Sequence, residues 1–84
     1  MVVQVTFKCF ATLRRYLAAH GGKEVSLTLE EGSTPNQVLQ RFGVPAGETH
    51  LVLVNGVHLD TPQWGQRCLQ NGDVLSVWPP IAGG

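Results

Sequence analysis

The sequence predicts an α+β domain in which one mixed sheet wraps around a single main helix. Three observations carry this reading. Apolar and polar residues alternate over residues 3–9 and again over 25–30, the period of a strand with one side in a core. A helix-start signal stands at Ser33-Thr34-Pro35-Asn36-Gln37. The pair Asn55-Gly56 separates two short apolar runs, the strongest local signal for a tight hairpin.

Each element follows in order. Val3, Val5, Phe7 and Cys9 share one face of the first strand, with Gln4, Thr6 and Lys8 on the other and Phe10 in phase with the polar side. Residues 11–19 carry Leu13, Tyr16 and Leu17 at helical spacing, as a turn or two of helix or an ordered loop, and Gly21-Gly22 turns the chain. Val25, Leu27 and Leu29 alternate with Ser26, Thr28 and Glu30 in a second strand, forming a hairpin with the first across a long connection. In the helix, Thr34 suits the N-cap, Pro35 the first helical position and Gln37 the capping box. Val38, Leu39 and Phe42 supply its apolar face, and Gly43 can end it. The run Leu51-Val52-Leu53-Val54 reads as a strand covered on both faces or nearly so, and after Asn55-Gly56 Val57 and Leu59 alternate with His58. An irregular stretch from Thr61-Pro62 to Cys68-Leu69 reaches the turn Asn71-Gly72-Asp73. A last strand, residues 74–78, sends Leu75 and Val77 one way and Ser76 and Trp78 the other, and Pro79-Pro80 stops it because neither proline can donate to a ladder. Strand, strand, helix, then strands is the β-grasp layout. The expected division is a β-grasp domain over 1–78 and a flexible tail over 79–84.

The chain's 84 residues make one domain, too small for a deep cleft between domains. A domain of this size buries roughly 60% of the surface its unfolded chain exposes, enough for one core. Apolar residues at 43% and charged residues at 14% give an ordinary globular composition, not a disordered one. Six basic and six acidic residues cancel, which argues against a nucleic-acid binder that works by neutralising phosphates. No apolar run approaches a membrane span, and Met1-Val2-Val3-Gln4 lacks the regions of a signal peptide, so a cytoplasmic protein with no membrane partner is expected. Cys9 and Cys68 are then reduced, and are expected to be small, partly buried side chains.

Intrinsic catalysis finds little support. There is no nucleophile elbow and no His-Glu-x-x-His, and Gly21-Gly22-Lys23 reads as a plain turn rather than a phosphate loop. His20, His50 and His58 lack metal-ligand spacing, so no metal is expected, and Glu30-Glu31 reads as a strand end in solvent.

The tail carries the chemistry instead. The chain ends Trp78-Pro79-Pro80-Ile81-Ala82-Gly83-Gly84. Two prolines favour an extended departure from the last strand. Six residues at about 3.3 Å each reach roughly 20 Å, enough to enter a partner's pocket. Gly83 and Gly84 carry no Cβ, so a narrow channel can close around their backbone. A terminal carboxylate becomes a good electrophile once adenylated. A loose glycine end without a role is the plain alternative, and the proline stop and β-grasp pattern weigh against it.

Asn71-Gly72-Asp73-Val74 and the ending from Val77 to Gly84 resemble the C-terminal region of MoaD, the small subunit of molybdopterin synthase. Phe10-Ala11-Thr12-Leu13-Arg14 and Val54-Asn55-Gly56 are similar to that family's pattern too, so the resemblance spans nearly the whole chain. The stretch from Gln63 to Gln70 instead resembles ThiS, the sulfur carrier of thiazole synthesis. The shared implication is a ubiquitin-like sulfur carrier rather than an enzyme. An E1-like adenylyltransferase of the MoeB/ThiF type would adenylate Gly84 with ATP, and a sulfurtransferase would convert it to a thiocarboxylate. In the MoaD case the tail, with Pro79, Pro80, Ile81, Ala82 and Gly83, would enter the MoaE-type large subunit and give sulfur to a molybdopterin or tungstopterin precursor. No cofactor would be bound by the carrier itself.

Alternation independently places Phe10, His58 and Trp78 on the polar side of their strands, as exposed aromatic groups suited to docking, and the resemblance aligns them with the family's partner-contact patch. The alternative is that residues 11–19 cover Phe10. Trp64 reads as core filler. Four functions stay open: a carrier for molybdopterin or tungstopterin, a carrier for thiazole or another thiolated product, a ubiquitin-like modifier joined to lysines, and a binding module with an inert tail.

Overall fold

A computed structural model describes residues 1–80. It contains β1 (Val2–Cys9), β2 (Glu24–Glu30), α1 (Pro35–Phe42), β3 (Leu51–Val54), β4 (Val57–His58) and β5 (Val74–Trp78), with short 3₁₀ segments at Ala11–His20, Ala46–Glu48 and Thr61–Gly65. The sheet order is β2-β1-β5-β3-β4. β1 runs antiparallel to β2 but parallel to β5, while β5 is antiparallel to β3. A parallel pair needs a crossover, and the whole middle of the chain, including α1, supplies it. The last strand thereby becomes the centre of the sheet.

The alternation seen in sequence sets the two faces. Val5, Phe7 and Cys9 of β1, Leu27 and Leu29 of β2, Val52 and Val54 of β3, and Leu75 and Val77 of β5 are all buried on one side. Val38 and Leu39 of α1 join that same cluster, and the rings of Phe7 and Phe42 lie 5.2 Å apart. Burying a side chain of this size contributes about 1.5–3 kcal/mol.

α1 begins and ends as its residues dictate. Thr34 and Gln37 form the reciprocal capping box, with the Thr34 N–H donating to Gln37 Oε1 at 2.8 Å. Gly43 closes the helix at φ 72°, a left-handed conformation that favours glycine. Asn55 (φ 54°) and Gly56 (φ 80°) both take positive φ, the type I′ turn that a two-residue hairpin requires.

Residues 11–20 form 3₁₀ turns on either side of a kink at Leu17, within the turn or two of helix that the spacing offered, and Leu13 and Leu17 fill the core beneath them. Other expectations need revision. β3 is covered fully on one face only, since Leu51 and Leu53 are half-buried. The stretch after Thr61 is not wholly irregular: Asp60 and Gln63 form a second capping box, and Trp64 is buried with its Nε1–H donating to Leu59 O at 3.1 Å. Cys9 is buried, but Cys68 is exposed rather than partly buried. No helix among the described residues is long and apolar enough to cross a membrane.

Candidate functional site at the end of the central strand

The end of β5 is held from both sides. Phe10 N–H donates to Val77 O at 3.1 Å, which extends the parallel pairing by one residue beyond β1. His50 N–H donates to Trp78 O at 2.8 Å from the β3 side. Pro79 and Pro80 follow without an N–H, so neither can donate to a continuing ladder. The chain therefore leaves the sheet from the middle of one edge, with both neighbouring strands clamped to its last two carbonyls.

The outer sheet face adjoins this point. Register places Lys8 opposite Ser76, Ser76 opposite Leu53, and Leu53 opposite His58, in one row across four strands. The adjoining row holds Trp78 opposite Leu51, with Phe10 stacked on Trp78. The two rings are 4.2 Å apart and 4° from parallel. Phe10 and Trp78 are thus half-buried and stacked on one another rather than exposed as the alternation alone implied, and Phe10 does not join the core cluster. His58 is exposed, on the same face across β3, with its Nδ1 3.7 Å from Asp60 Oδ1. Leu51 and Leu53, which alternation alone did not single out, are half-buried on this face, Leu51 opposite Trp78 and Leu53 opposite His58, and so link the two across β3.

Local backbone shape supports this surface. Ala11 takes φ 51°, a left-handed conformation unusual for a residue with a Cβ. It reverses the chain directly after Phe10. The first turn of the 3₁₀ segment then points Leu13 into the core and leaves the Phe10 ring to Trp78. That segment is tied down by Glu48, whose carboxylate accepts from Arg15 Nη2 and, at 3.0 Å, from Tyr16 OH.

A second polar cluster anchors the start of β5. Asn55 Nδ2 donates to Asp73 Oδ1 at 2.8 Å, and Val74 N–H donates to Asn55 Oδ1 at 2.9 Å. Gln70 N–H donates to Asp73 Oδ2 at 2.8 Å, and Arg67 Nη2 lies 3.5 Å from that oxygen. Asp73 is 6% exposed. Burying a carboxylate this far is tolerable only because each oxygen is satisfied. The Asn-Gly and Asn-Gly-Asp turns, distant in sequence, are one structure.

Groups suited to other chemistry do not converge here. No set of three His, Cys, Asp or Glu side chains that could hold a metal occurs among the described residues. Burial pushes the Cys9 thiol up to about 11, so on the inner face of β1 it stays protonated and unreactive. A hollow of about 470 Å³ between β2 and α1, lined in part by Val38, Gln37 and Arg41, lies on the other side of the molecule's sheet edge from β4. Ile81, Ala82, Gly83 and Gly84, the tail residues singled out from sequence, lie outside the described residues.

A five-stranded sheet in the order β2-β1-β5-β3-β4, with a parallel β1–β5 pair at its centre and one helix packed on its inner face, defines the ubiquitin-like β-grasp class. The chain belongs to the ThiS family, whose model matches residues 7–84. No curated protein sequence matches it. Among solved structures it is similar to a Pyrococcus furiosus protein provisionally assigned as molybdopterin converting factor subunit 1. That likeness has 26% identity and a TM-score of 0.68, and covers 94% of this chain and 99% of that one. Small archaeal modifier protein 1 of Haloferax volcanii shares 25% identity at a TM-score of 0.66, covering 96% and 99%. The fold is also that of a molybdopterin-converting factor from Helicobacter pylori, determined as a complex of subunits 1 and 2 (21% identity, TM-score 0.60, covering 98% and 100%). By name, the first two of these are a converting-factor subunit and a small modifier protein.

Proposed function

We propose that this protein is a sulfur carrier that takes up sulfur as a thiocarboxylate on Gly84 and donates it in molybdopterin or tungstopterin synthesis. The observation that carries this reading is the coincidence of a ThiS-family match running to Gly84 with a central strand that ends in a double proline. The carboxylate of Gly84 is inert until a leaving group replaces an oxide. An E1-like adenylyltransferase supplies it from ATP, the Gly84 carboxylate attacking the α-phosphate as pyrophosphate leaves. The terminal sulfur of a persulfide-bearing sulfurtransferase then displaces AMP, giving an acyl disulfide, and a second thiol of the donor reduces its S–S bond, releasing the thiocarboxylate and leaving a disulfide on the donor.

The fold's own part is docking and presentation. Phe10, Trp78, Leu51, Leu53 and His58 form the surface that meets the activating enzyme and then a MoaE-type large subunit, while residues 79–84 reach the partner's pocket. Tethering the reactive end to a docked surface converts its entry into an intramolecular event with a high effective concentration. Pro79 and Pro80 limit the conformations that entry must select. The complex of two subunits described for the Helicobacter pylori factor supports a two-subunit arrangement. The ThiS-like segment supports a thiazole carrier as the variant of the same chemistry.

The likeness to a small archaeal modifier protein favours a second reading, in which the activated Gly84 is joined to lysines. Removing Gly84 from the chain separates the carrier from an inert module: loss of cofactor synthesis in the host with an unchanged fold supports the proposal, and full activity of the shortened chain refutes it. A glycyl-glycine remnant on target lysines would favour the modifier.

A further inference from the structure

The surroundings of the two Asn-Gly pairs go beyond the carrier reading. Asparagine followed by glycine is prone to deamidation, because the glycine nitrogen meets little steric hindrance in attacking the side-chain amide. Both such pairs in this chain, Asn55-Gly56 and Asn71-Gly72, lie in exposed turns. They are held in different ways. At Asn71 the nucleophile is engaged: Gly72 N–H donates to Gln4 O at 2.7 Å, and Gln4 N–H donates to Asn71 Oδ1 at 2.8 Å. At Asn55 it is the amide being attacked that is held. Its Nδ2 donates to Asp73 Oδ1 at 2.8 Å and its Oδ1 accepts from Val74 N–H at 2.9 Å, while its own N–H donates to Val74 O at 2.9 Å.

We propose that Asn55 is a deamidation site that the fold holds shut through Asp73 and β5, and that its conversion releases the β3–β4 hairpin from β5. The reaction needs only water. Gly56 nitrogen gives up its proton to solvent and bonds to Asn55 Cγ, closing a succinimide. The Cγ–Nδ2 bond breaks and the nitrogen, taking up a proton from solvent, departs as ammonia. Water then opens the ring at either carbonyl, leaving aspartate or isoaspartate at position 55. To reach Gly56 nitrogen the side chain must first let go of both Asp73 and Val74, so the folded chain reacts only through local opening.

The product does not fit the place the amide leaves. A donor that satisfied the buried Asp73 carboxylate becomes a second carboxylate facing it at hydrogen-bond distance. Among the described residues Arg67, at 3.5 Å on the other oxygen, is the one cation paired with Asp73. Re-closure is therefore opposed, and isoaspartate adds a backbone atom to a two-residue turn that accommodates none. Leu53, opposite Ser76 of β5, loses that register, and His58, paired with Leu53 in the same hairpin, is displaced with it. Age damage at this turn would thus reach the docking surface without touching the tail.

The test uses the full chain, incubated at mildly alkaline pH in buffer and in denaturing urea, with each asparagine followed by peptide mass spectrometry. The native chain should convert Asn55 at least about tenfold more slowly than the urea-unfolded chain. Equal rates would overturn the idea that the fold shields this amide. The coupling to Asp73 is read separately: Asn55→Asp should lower the melting temperature, and Asp73→Asn added to it should recover most of the loss by removing one of the two facing charges. An Asn55→Asp chain as stable as the parent, or a loss that Asp73→Asn leaves untouched, would contradict the assignment. None of these readouts depends on sulfur transfer, so they stand or fall apart from the proposed function.

Discussion

The ring of Phe10 lies on the ring of Trp78, 4.2 Å between centroids and 4° from parallel, at the point where the central strand ends. The two residues are 68 positions apart by their numbers and are joined because β1 and β5 run parallel with Cys9 opposite Val77. Neither ring enters the core.

The first prediction concerns this pair. Phe10→Ala and Trp78→Ala should each destabilise modestly, and the double variant should lose less than their sum. The missing part, the coupling, is expected at about 0.5–1.5 kcal/mol. Urea denaturation of the four chains measures it, and strict additivity would mean that the stack contributes nothing of its own.

A second prediction falls on Asp73. Its carboxylate accepts from Asn55 Nδ2 and Gln70 N–H and sits beside Arg67. Asp73→Ala leaves these donors without an acceptor and should cost about 3 kcal/mol. Asp73→Asn retains an oxygen for Asn55 Nδ2 and should cost less. Equilibrium unfolding ranks the three chains, and equal losses for the two variants would place the effect elsewhere.

Ala11 gives a prediction of unusual sign. At φ 51° its Cβ is strained, which costs roughly 1–2 kcal/mol in a left-handed conformation. Glycine removes that strain, while its added unfolded-state entropy takes back about 0.5–1 kcal/mol. Ala11→Gly should therefore be neutral or stabilising by up to about 1.5 kcal/mol. A thermal melt showing clear destabilisation would contradict the conformation assigned to this turn.

The legible and illegible parts of this fold divide by the range of the interactions. Helix α1 was readable because Thr34, Pro35, Gln37 and Gly43 act within a few residues of one another, and the Asn55-Gly56 turn because its chemistry is complete in two residues. The same capping logic holds at Asp60 and Gln63, a signal present in the sequence but hidden by Gly65 ending the segment after five residues. Pairing of β1 with β5 had no local signal, so the stack of Phe10 on Trp78 and the inclusion of Leu51 and Leu53 in the outer surface had none either. Alternation put Phe10, His58 and Trp78 on the correct side of the sheet. It could not say that two of them cover each other. Nor does an alanine announce a left-handed turn.

A fourth prediction concerns alkaline stability. Burial pushes the Cys9 thiol up to about 11 from its ordinary value of 9.0. The neutral thiol is thus favoured in the folded chain, and this costs nothing below pH 9.0, where the unfolded chain also keeps its proton. As pH rises from there towards 11 the unfolded thiol ionises first, and stability falls by about 2 kcal/mol. Denaturation at both ends of this window should show the decline in the parent and a smaller one in Cys9→Ala. Parallel declines in the two chains would assign it to other groups.

Intact-mass spectrometry of the chain isolated from its own host tests the central claim most directly. The carrier reading predicts a fraction of molecules in which sulfur has replaced one carboxylate oxygen, with the change located by fragmentation to Gly84 and absent when one residue is appended after it. A chain found only with an unaltered carboxylate, under conditions where the host is making its sulfur-containing cofactors, would contradict it.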